Sequence, residues 1–421
     1  MDPSFVGGTF VQLLFFISSL APIWFPIVLV FVAWHSWLRY VRLSFISSLK
    51  WTLLEIRLPR DVFKSPQAME IALVNAFHQG GGVGTWYAKY YLGKVLMWFS
   101  LEIVSIDGNV FFFIRIPLNF KSLVESQIYA QYPQAEIKIV EDYTDRIPHE
   151  MKTNAWSMWG TEFEFTKPDV YPIKTYVDYG LDKSTSSLDP EQQIDPMTQM
   201  IEFMGSLGKG EQLWLQIIIQ VHSKRFSEPG KMFGGRNWQG LAKEEVQKIV
   251  KDGLLTTGDE KIKSTLNLTK TQQDVITAID RHIEKPAFDT GIRAIYLAEK
   301  DKFNPINIVG LLGMFKQYNS NTLNGFKPRN LTDFDYPWQD RSGARKAALK
   351  LEMFEAYRLR SYFNAPHNSK KAGGKHIIRK PLVLSSEELA TLFHFPGRVS
   401  ETPSFGRIES KKIEPPQNLP L

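Results

Sequence analysis

Residues 3–38 contain no Asp, Glu, Lys or Arg, and residues 10–34 are almost wholly apolar. A bilayer core roughly 30 Å thick takes about 20 apolar residues as helix, so this stretch is long enough for one tilted span and too short for two. Charge then begins abruptly at Arg39, Arg42, Lys50, Arg57 and Arg60. Basic residues just past a span favour the cytoplasmic side. The expectation is a single-pass membrane protein with its N-terminus outside and its large C-terminal part in the cytoplasm. A cleaved signal peptide is the competing reading, but it would need a basic n-region and a shorter apolar core. The bulky Trp34, Trp37 and Tyr40 at the exit suit a membrane-interface belt instead. Pro22 and Pro26 are expected to kink the span.

The remaining chain is long enough for two domains and rich enough in aliphatic and aromatic residues to bury a core. Cysteine is absent, which excludes disulfides, thiol catalysis and thiolate metal sites. The net charge is only +6, yet residues 341–380 carry eleven Lys/Arg against Glu352 and Glu355.

The first soluble block reads as β-α-β-β-α-β. A strand over 51–58 meets Pro59, and Ser65-Pro66 supplies an N-cap and a first-turn proline for a helix to about residue 79. Apolar runs at 96–106 and 109–116 flank Asp107-Gly108, a hairpin signal. A helix over 122–132 and a strand over 135–140 complete a ferredoxin-like unit. A second copy follows, with strands at 162–165, 171–178 and 212–222, a helix over 190–206, and helices at 242–254 and 270–283 as an insertion. A strand at 291–298, a helix over 305–318 and a strand at 322–327 close it. The fold class is therefore α+β: one N-terminal transmembrane helix (1–44 as anchor, span about 10–34), then tandem ferredoxin-like units at 45–145 and 155–330, the second with a helical insertion at about 240–285. A basic helical segment (331–395) and a proline-rich tail (396–421) follow, with a long helix at 345–363, a polar loop at 364–374 and a helix start at Ser385/Ser386.

No catalytic, cofactor-binding or metal-ligating constellation is found. Residues 205–210 (GSLGKG) approach a P-loop but have the wrong glycine spacing and no Ser/Thr after Lys209; they read as a helix end and turn. The glycines at 80–84 lack a lysine and read as a loop. The histidines show no metal-ligand spacing, and no GxSxG elbow is present. Glu141, Asp142 and Asp145 read as a solvated turn. The electrostatic signal is the basic segment. Arg345, Lys346, Lys350, Arg358, Arg360, Lys370 and Lys371 form a candidate surface for nucleic acid or anionic lipid. In the helix, Leu349, Met353, Ala356 and Phe363 would face a core while Lys346, Lys350 and Arg358 face outward. A solvated helix beside an ordinary loop is the plainer reading.

Three stretches carry a resemblance: DVFKSPQAME (61–70), IYAQYPQAEI (128–137) and LVLSSEELATLFHFP (382–396). Together they resemble the membrane-anchored region that precedes the motor in bacterial type IV secretion and conjugative DNA-transfer ATPases of the HerA/FtsK-like class, itself a domain of unknown function. The resemblance implies a membrane anchor, an α/β pre-motor fold and a place in a translocation complex. In that family the third stretch leads into a RecA-type motor with a Walker A loop. Here no nucleotide-binding residue can be carried over. The resemblance thus implies a non-enzymatic scaffold, with the motor ATPase on a separate chain or in a longer version of this one, and a homo-oligomer as a further expectation. The alternative is a membrane-anchored nucleic-acid-binding protein using residues 341–380. His394 reads as a packing or capping residue.

Overall fold

The computed structural model describes residues 19–59, 64–78, 85–148, 155–182, 194–222, 238–255, 268–363 and 369–396. The chain falls into two compact units, residues 1–50 with 81–96 and residues 51–80 with 97–421. The first holds helix α1 (Ala21–Ser48) and a five-residue helix α3 (Trp86–Tyr90). α1 has 28 residues, and its apolar window has a mean hydropathy of 1.6 with none of it buried, so it is long and apolar enough to cross a membrane. Residues 10–18 of the expected span lie outside the described residues. The helix runs well past the expected exit at 34. Pro22 falls in its first turn, where no N–H is needed, and Pro26 lies inside.

The second unit is built on one large antiparallel sheet. Its strands are β1 (Trp51–Arg57), β2 (Trp98–Ile106), β3 (Asn109–Pro117), β4 (Glu136–Val140), β5 (Trp156–Phe165), β6 (Glu211–Val221), β7 (Ala287–Glu299) and β8 (Phe326–Arg329). They lie in the order β4-β1-β3-β2-β6-β7-β5-β8. A separate hairpin joins β9 (Ser369–Ala372) to β10 (Lys375–Ile378), and β11 (Leu382–Ser385) then returns to the large sheet beside β7. β6 covers β7 from Phe288 to Ala298. The opposite edge of β7 is shared: β11 pairs Ala287–Thr290 and β5 pairs Arg293–Glu299. Strands from all three expected blocks thus enter one sheet.

Side chains alternate across the strands, and both faces are covered. Leu213, Leu215, Ile217 and Ile219 of β6 join the main core with the helices α2 (Pro66–Phe77), α4 (Lys121–Gln131), α5 (Pro196–Gly205), α8 (Ile306–Gly313) and α10 (Ser386–Leu392). Trp214 faces the other way, into a second core with Met353, Phe354 and Tyr357 of α9 (Ala344–Arg358). α6 (Trp238–Leu255) and α7 (Lys270–Glu284) pack together around Val170, Ala242, Val275 and Ile279. Coverage on both faces leaves β6 and β7 buried almost without a break, polar residues included.

Local chemistry sets several boundaries. The Ser65 side chain accepts from Gln67 N at the start of α2, and Ser385 with Glu388 forms a complete capping box at α10. The β2–β3 turn puts Asp107 at φ 54° and Gly108 at φ 80°, as a two-residue hairpin of right-handed twist demands.

Three expectations fail. Residues 171–178 are not a strand. Their peptide groups are satisfied from elsewhere: Ile173 N donates to Glu388, Tyr176 N to Thr391 Oγ1, and Lys174 N to Tyr318 O. β5 supplies the strand instead, beginning at Trp156. The polar loop at 364–374 contains β9, turned into β10 by Gly373 and Gly374, both at positive φ; residues 364–368 lie outside the described residues. The helix expected over 345–363 stops at Arg358, because Arg360 takes a left-handed φ of 48°.

A Cβ at residue 108 would stand 2.6 Å from Leu207 O, at a φ that L residues disfavour. Gly108→Ala is therefore expected to cost about 1–3 kcal/mol, read as a lowered denaturant midpoint of the detergent-solubilised chain with an unchanged slope.

Candidate functional site

A row of polar side chains crosses the sheet on the face covered by α9. In register, Glu102 of β2 lies opposite Gln216 of β6, Gln216 opposite Arg293 of β7, and Arg293 opposite Glu162 of β5. All four are buried. Gln216 Nε2 donates to Glu102 at 3.2 Å, Arg293 Nη1 donates to Gln216 Oε1 at 3.1 Å, and Arg293 Nη2 donates to Glu162 at 2.8 Å. The row is completed by the segment after α9. Arg360 donates from Nε and Nη2 to the two oxygens of Glu102 at 2.9 and 3.0 Å, and also to Asp142. Arg379 donates to Glu162 at 2.6 Å and to Glu352 at 2.8 Å. Burial pushes Glu162 up, but Arg293 and Arg379 outweigh it and bring it down to about 2. Glu102 is lowered in the same way, burial being overcome by Arg360.

This network changes the reading of the basic segment. Arg360 is 1% exposed and is an internal counter-charge, so it leaves the candidate surface; Asp142, expected in a solvated turn, is its partner. Lys346 is ion-paired to Asp333 at 2.7 Å. Lys350 is half-buried, and burial together with the charge of Lys346 lowers its pKa. Arg345 donates to Gln339 O. Arg358 is half-buried in the last turn of α9. Lys370 and Lys371 stand on β9, Lys371 exposed. Leu349, Met353 and Ala356 are core residues as expected, whereas Phe363 lies beyond the end of the helix and is only half-buried. Of the seven predicted cations, Arg360 is the one the fold takes into its interior.

The structure does gather residues that spacing could not connect. Where β7 changes partner from β5 to β11, a cavity of about 430 Å³ opens between the ends of β5 and β8, the start of β11 and α6. That volume is within the range of small-molecule sites. Phe165, Val170, Trp238, Leu241, Leu382 and Val383 form apolar walls, and Asp169, His222, Asp289, Arg329 and Lys380 bring polar and ionisable groups. His222 Nδ1 lies 2.7 Å from Asp289 Oδ1. Trp238 Nε1 is buried without a partner, its ring edge-on to His282. Burial raises Asp169 to about 6, against the pull of Lys380 and with the push of Glu388 and Asp289. A raised acid beside a His–Asp pair in a cleft is the arrangement expected of binding or proton-handling sites. Among the described residues no cluster of three or more His, Cys, Asp or Glu could hold a metal ion. Only the polar residue closing an apolar strand, His222 after β6, hints at this cavity in the sequence.

Beside the cavity, the three resembling stretches meet. Ser386 Oγ of α10 donates to Glu70 of α2 at 2.7 Å, and Tyr176 OH and Lys285 Nζ donate to the same carboxylate. The Phe395 ring stands 5.1 Å from Tyr132, which caps α4, and 5.3 Å from Phe112. Glu388 accepts from Ser385 N and Ile173 N and lies 2.9 Å from His282 Nδ1. His394, buried, places Nε2 3.1 Å from Asp195 Oδ1.

Two outcomes follow. Arg360→Met leaves Glu102 as an uncompensated buried charge and should cost about 3–5 kcal/mol, whereas Arg341→Met at an exposed site should leave the unfolding midpoint in place. For Asp169, the folded pKa lies above the usual carboxylate value, so its charge costs stability above about pH 6 and costs nothing below about pH 4. Asp169→Asn should therefore stabilise the chain at pH 8 by on the order of 1–2 kcal/mol, after discounting for residual solvent, and the gain should vanish near pH 4 in thermal melts.

The profile of DUF8128, a domain of unknown function, matches residues 98–407, from β2 through α10 and beyond. No curated protein matches the chain. With well over half its length inside that match, the chain belongs to the DUF8128 family.

Proposed function

We propose that this chain is a membrane-anchored, non-enzymatic platform of a bacterial type IV secretion or conjugative DNA-transfer apparatus, and that it docks a motor ATPase. One observation carries the reading. The three stretches that resemble the pre-motor region come from opposite ends of the sequence, yet α2, the end of α4 and α10 meet in one buried joint. Residues that make the resemblance are thus the ones that hold the 382–396 stretch against the helices of the N-terminal part; the proline-rich tail lies outside the described residues. α1 is read as the inner-membrane anchor, with Arg39, Arg42 and Lys50 holding the following residues on the cytoplasmic side.

The platform is read as two ferredoxin-like units. β1-α2-β2-β3-α4-β4 pairs in the order β4-β1-β3-β2. β5-α5-β6-β7-α8-β8 pairs in the order β8-β5-β7-β6, with α6 and α7 inserted between β6 and β7. The same element order and strand order in both halves, joined through β2 and β6, support this reading.

On the outer side of the joint, Ile71 of α2 and Tyr129 of α4 are large exposed apolar side chains. They are the proposed motor contact. Purification of the full chain from native membranes in mild detergent should recover an ATPase bearing a Walker A motif. Ile71→Asp with Tyr129→Asp should lose it without lowering the melting temperature. Recovery of nucleic acid in place of an ATPase would overturn the reading in favour of the basic segment.

A further inference from the structure

Helix α3 and the residues after it sit against α1 in a way that an apolar span alone does not require. Trp37 Nε1 donates to Tyr90 O at 3.1 Å, and the rings of Trp34 and Trp37 lie 5.7 and 6.2 Å from those of Tyr90 and Tyr91. Gly93, at φ 64°, lies so close that a Cβ there would stand 2.2 Å from Val41 O. Val41 is the buried residue of α1. Thr85 caps the short helix by accepting from Ala88 N, and Lys94 N returns to Ala88 O, closing a compact loop on the side of α1.

What this loop shows to its surroundings is unusual. Trp86 is 69% exposed, and Tyr87, Tyr91 and Leu92 are exposed with it. On α1, Tyr40 is 67% exposed, and Trp34 and Trp37 are also open. Tyr87 stacks on Tyr91 with ring centroids 4.9 Å apart. Arg39, Lys89 and Lys94 are exposed among these rings. Water is a poor neighbour for so many rings together. Trp and Tyr with an apolar body and a polar edge concentrate instead at the lipid headgroup level, where lysine and arginine meet phosphate. The level is also right. Trp34 to Tyr40 spans about 9 Å of helix rise, close to the headgroup layer of about 5–8 Å on each side of the hydrocarbon.

We propose that residues 85–94 are a second membrane-contacting element, a monotopic collar lying in the headgroup layer beside the exit of α1. Its lipid partner is an anionic phospholipid surface. α1 alone would leave the anchor free to tilt and to turn about its axis; the collar fixes both, because a span and a flank cannot satisfy the interface together in any other rotation. The inference rests on α1 crossing the bilayer.

The chain has no cysteine, so single cysteines give clean labelling sites. The full chain carrying Ile27→Cys or Tyr87→Cys would be labelled with an environment-sensitive fluorophore and reconstituted in phosphatidylcholine–phosphatidylglycerol vesicles. Lipids bearing a nitroxide near the headgroup or deep in the acyl chain would be the membrane quenchers, and iodide the aqueous one. The expected result is loss of Ile27 emission to the deep nitroxide and of Tyr87 emission to the shallow one, with Tyr87 shielded from iodide. Gly93→Val, which cannot keep the loop on Val41, should restore Tyr87 emission and expose it to iodide. Tyr87 quenched by iodide alone, while Ile27 stays deep, overturns the collar and leaves the span standing. Ile27 open to iodide overturns the span and the collar with it.

Discussion

Two arginines beyond α9 hold the sheet together from outside its own strands. Glu102 and Glu162 lie in the middle of buried strands, where a lone carboxylate would cost several kcal/mol. Their counter-charges are Arg360, 258 residues away in sequence, and Arg293 with Arg379. Gln216 bridges the two halves of the row by donating to Glu102 and accepting from Arg293. The packing of α9 on Trp214 and the left-handed turn at Arg360 both serve this pairing. The basic character of residues 341–380, which in the sequence looks like a surface, is in part the other half of an internal neutralisation.

Much of the architecture was legible because its signals are local. The charge-free N-terminus announced α1, Ser65-Pro66 announced α2, Asp107-Gly108 announced the β2–β3 hairpin, and Ser385 with Glu388 announced α10. The errors came where distant groups decide. Residues 171–178 look like a strand, yet Glu388 and Thr391, more than two hundred residues later, take their amides. Gly373-Gly374 was a hairpin signal hidden in a polar stretch. Charged residues inside apolar runs, Glu102 and Arg293 above all, were the available sign of a buried ion network, but their partners could not be read from spacing. The cavity beside His222 and Asp289 was illegible for the same reason, since its walls come from six separate stretches of chain.

The joint and the cavity share a cause. β7 is longer than either strand that can pair with its outer edge, so β5 and β11 divide it. The division opens a cleft on one side and, on the other, carries the chain directly from β11 into α10 and onto Glu70. Glu388 belongs to both: it holds the amides of Ile173 and Ser385 and adds to the negative field at Asp169. A ligand in the cleft and a partner on the outer helices would therefore act on neighbouring parts of one polar network.

The late position of β11 and of the two arginines also bears on the order in which the protein is made. Synthesis runs from the N-terminus, so α1 is complete long before Arg360 and Arg379 exist. Until they emerge, Glu102 and Glu162 have lost part or all of their compensation and the Ala287–Thr290 edge of β7 has no neighbour on that side. An open strand edge is a template for pairing with another chain. The nascent protein thus passes through a period in which its sheet is assembled but unsealed, and the stretch from Arg360 to Ser385 then closes the edge and neutralises the core together.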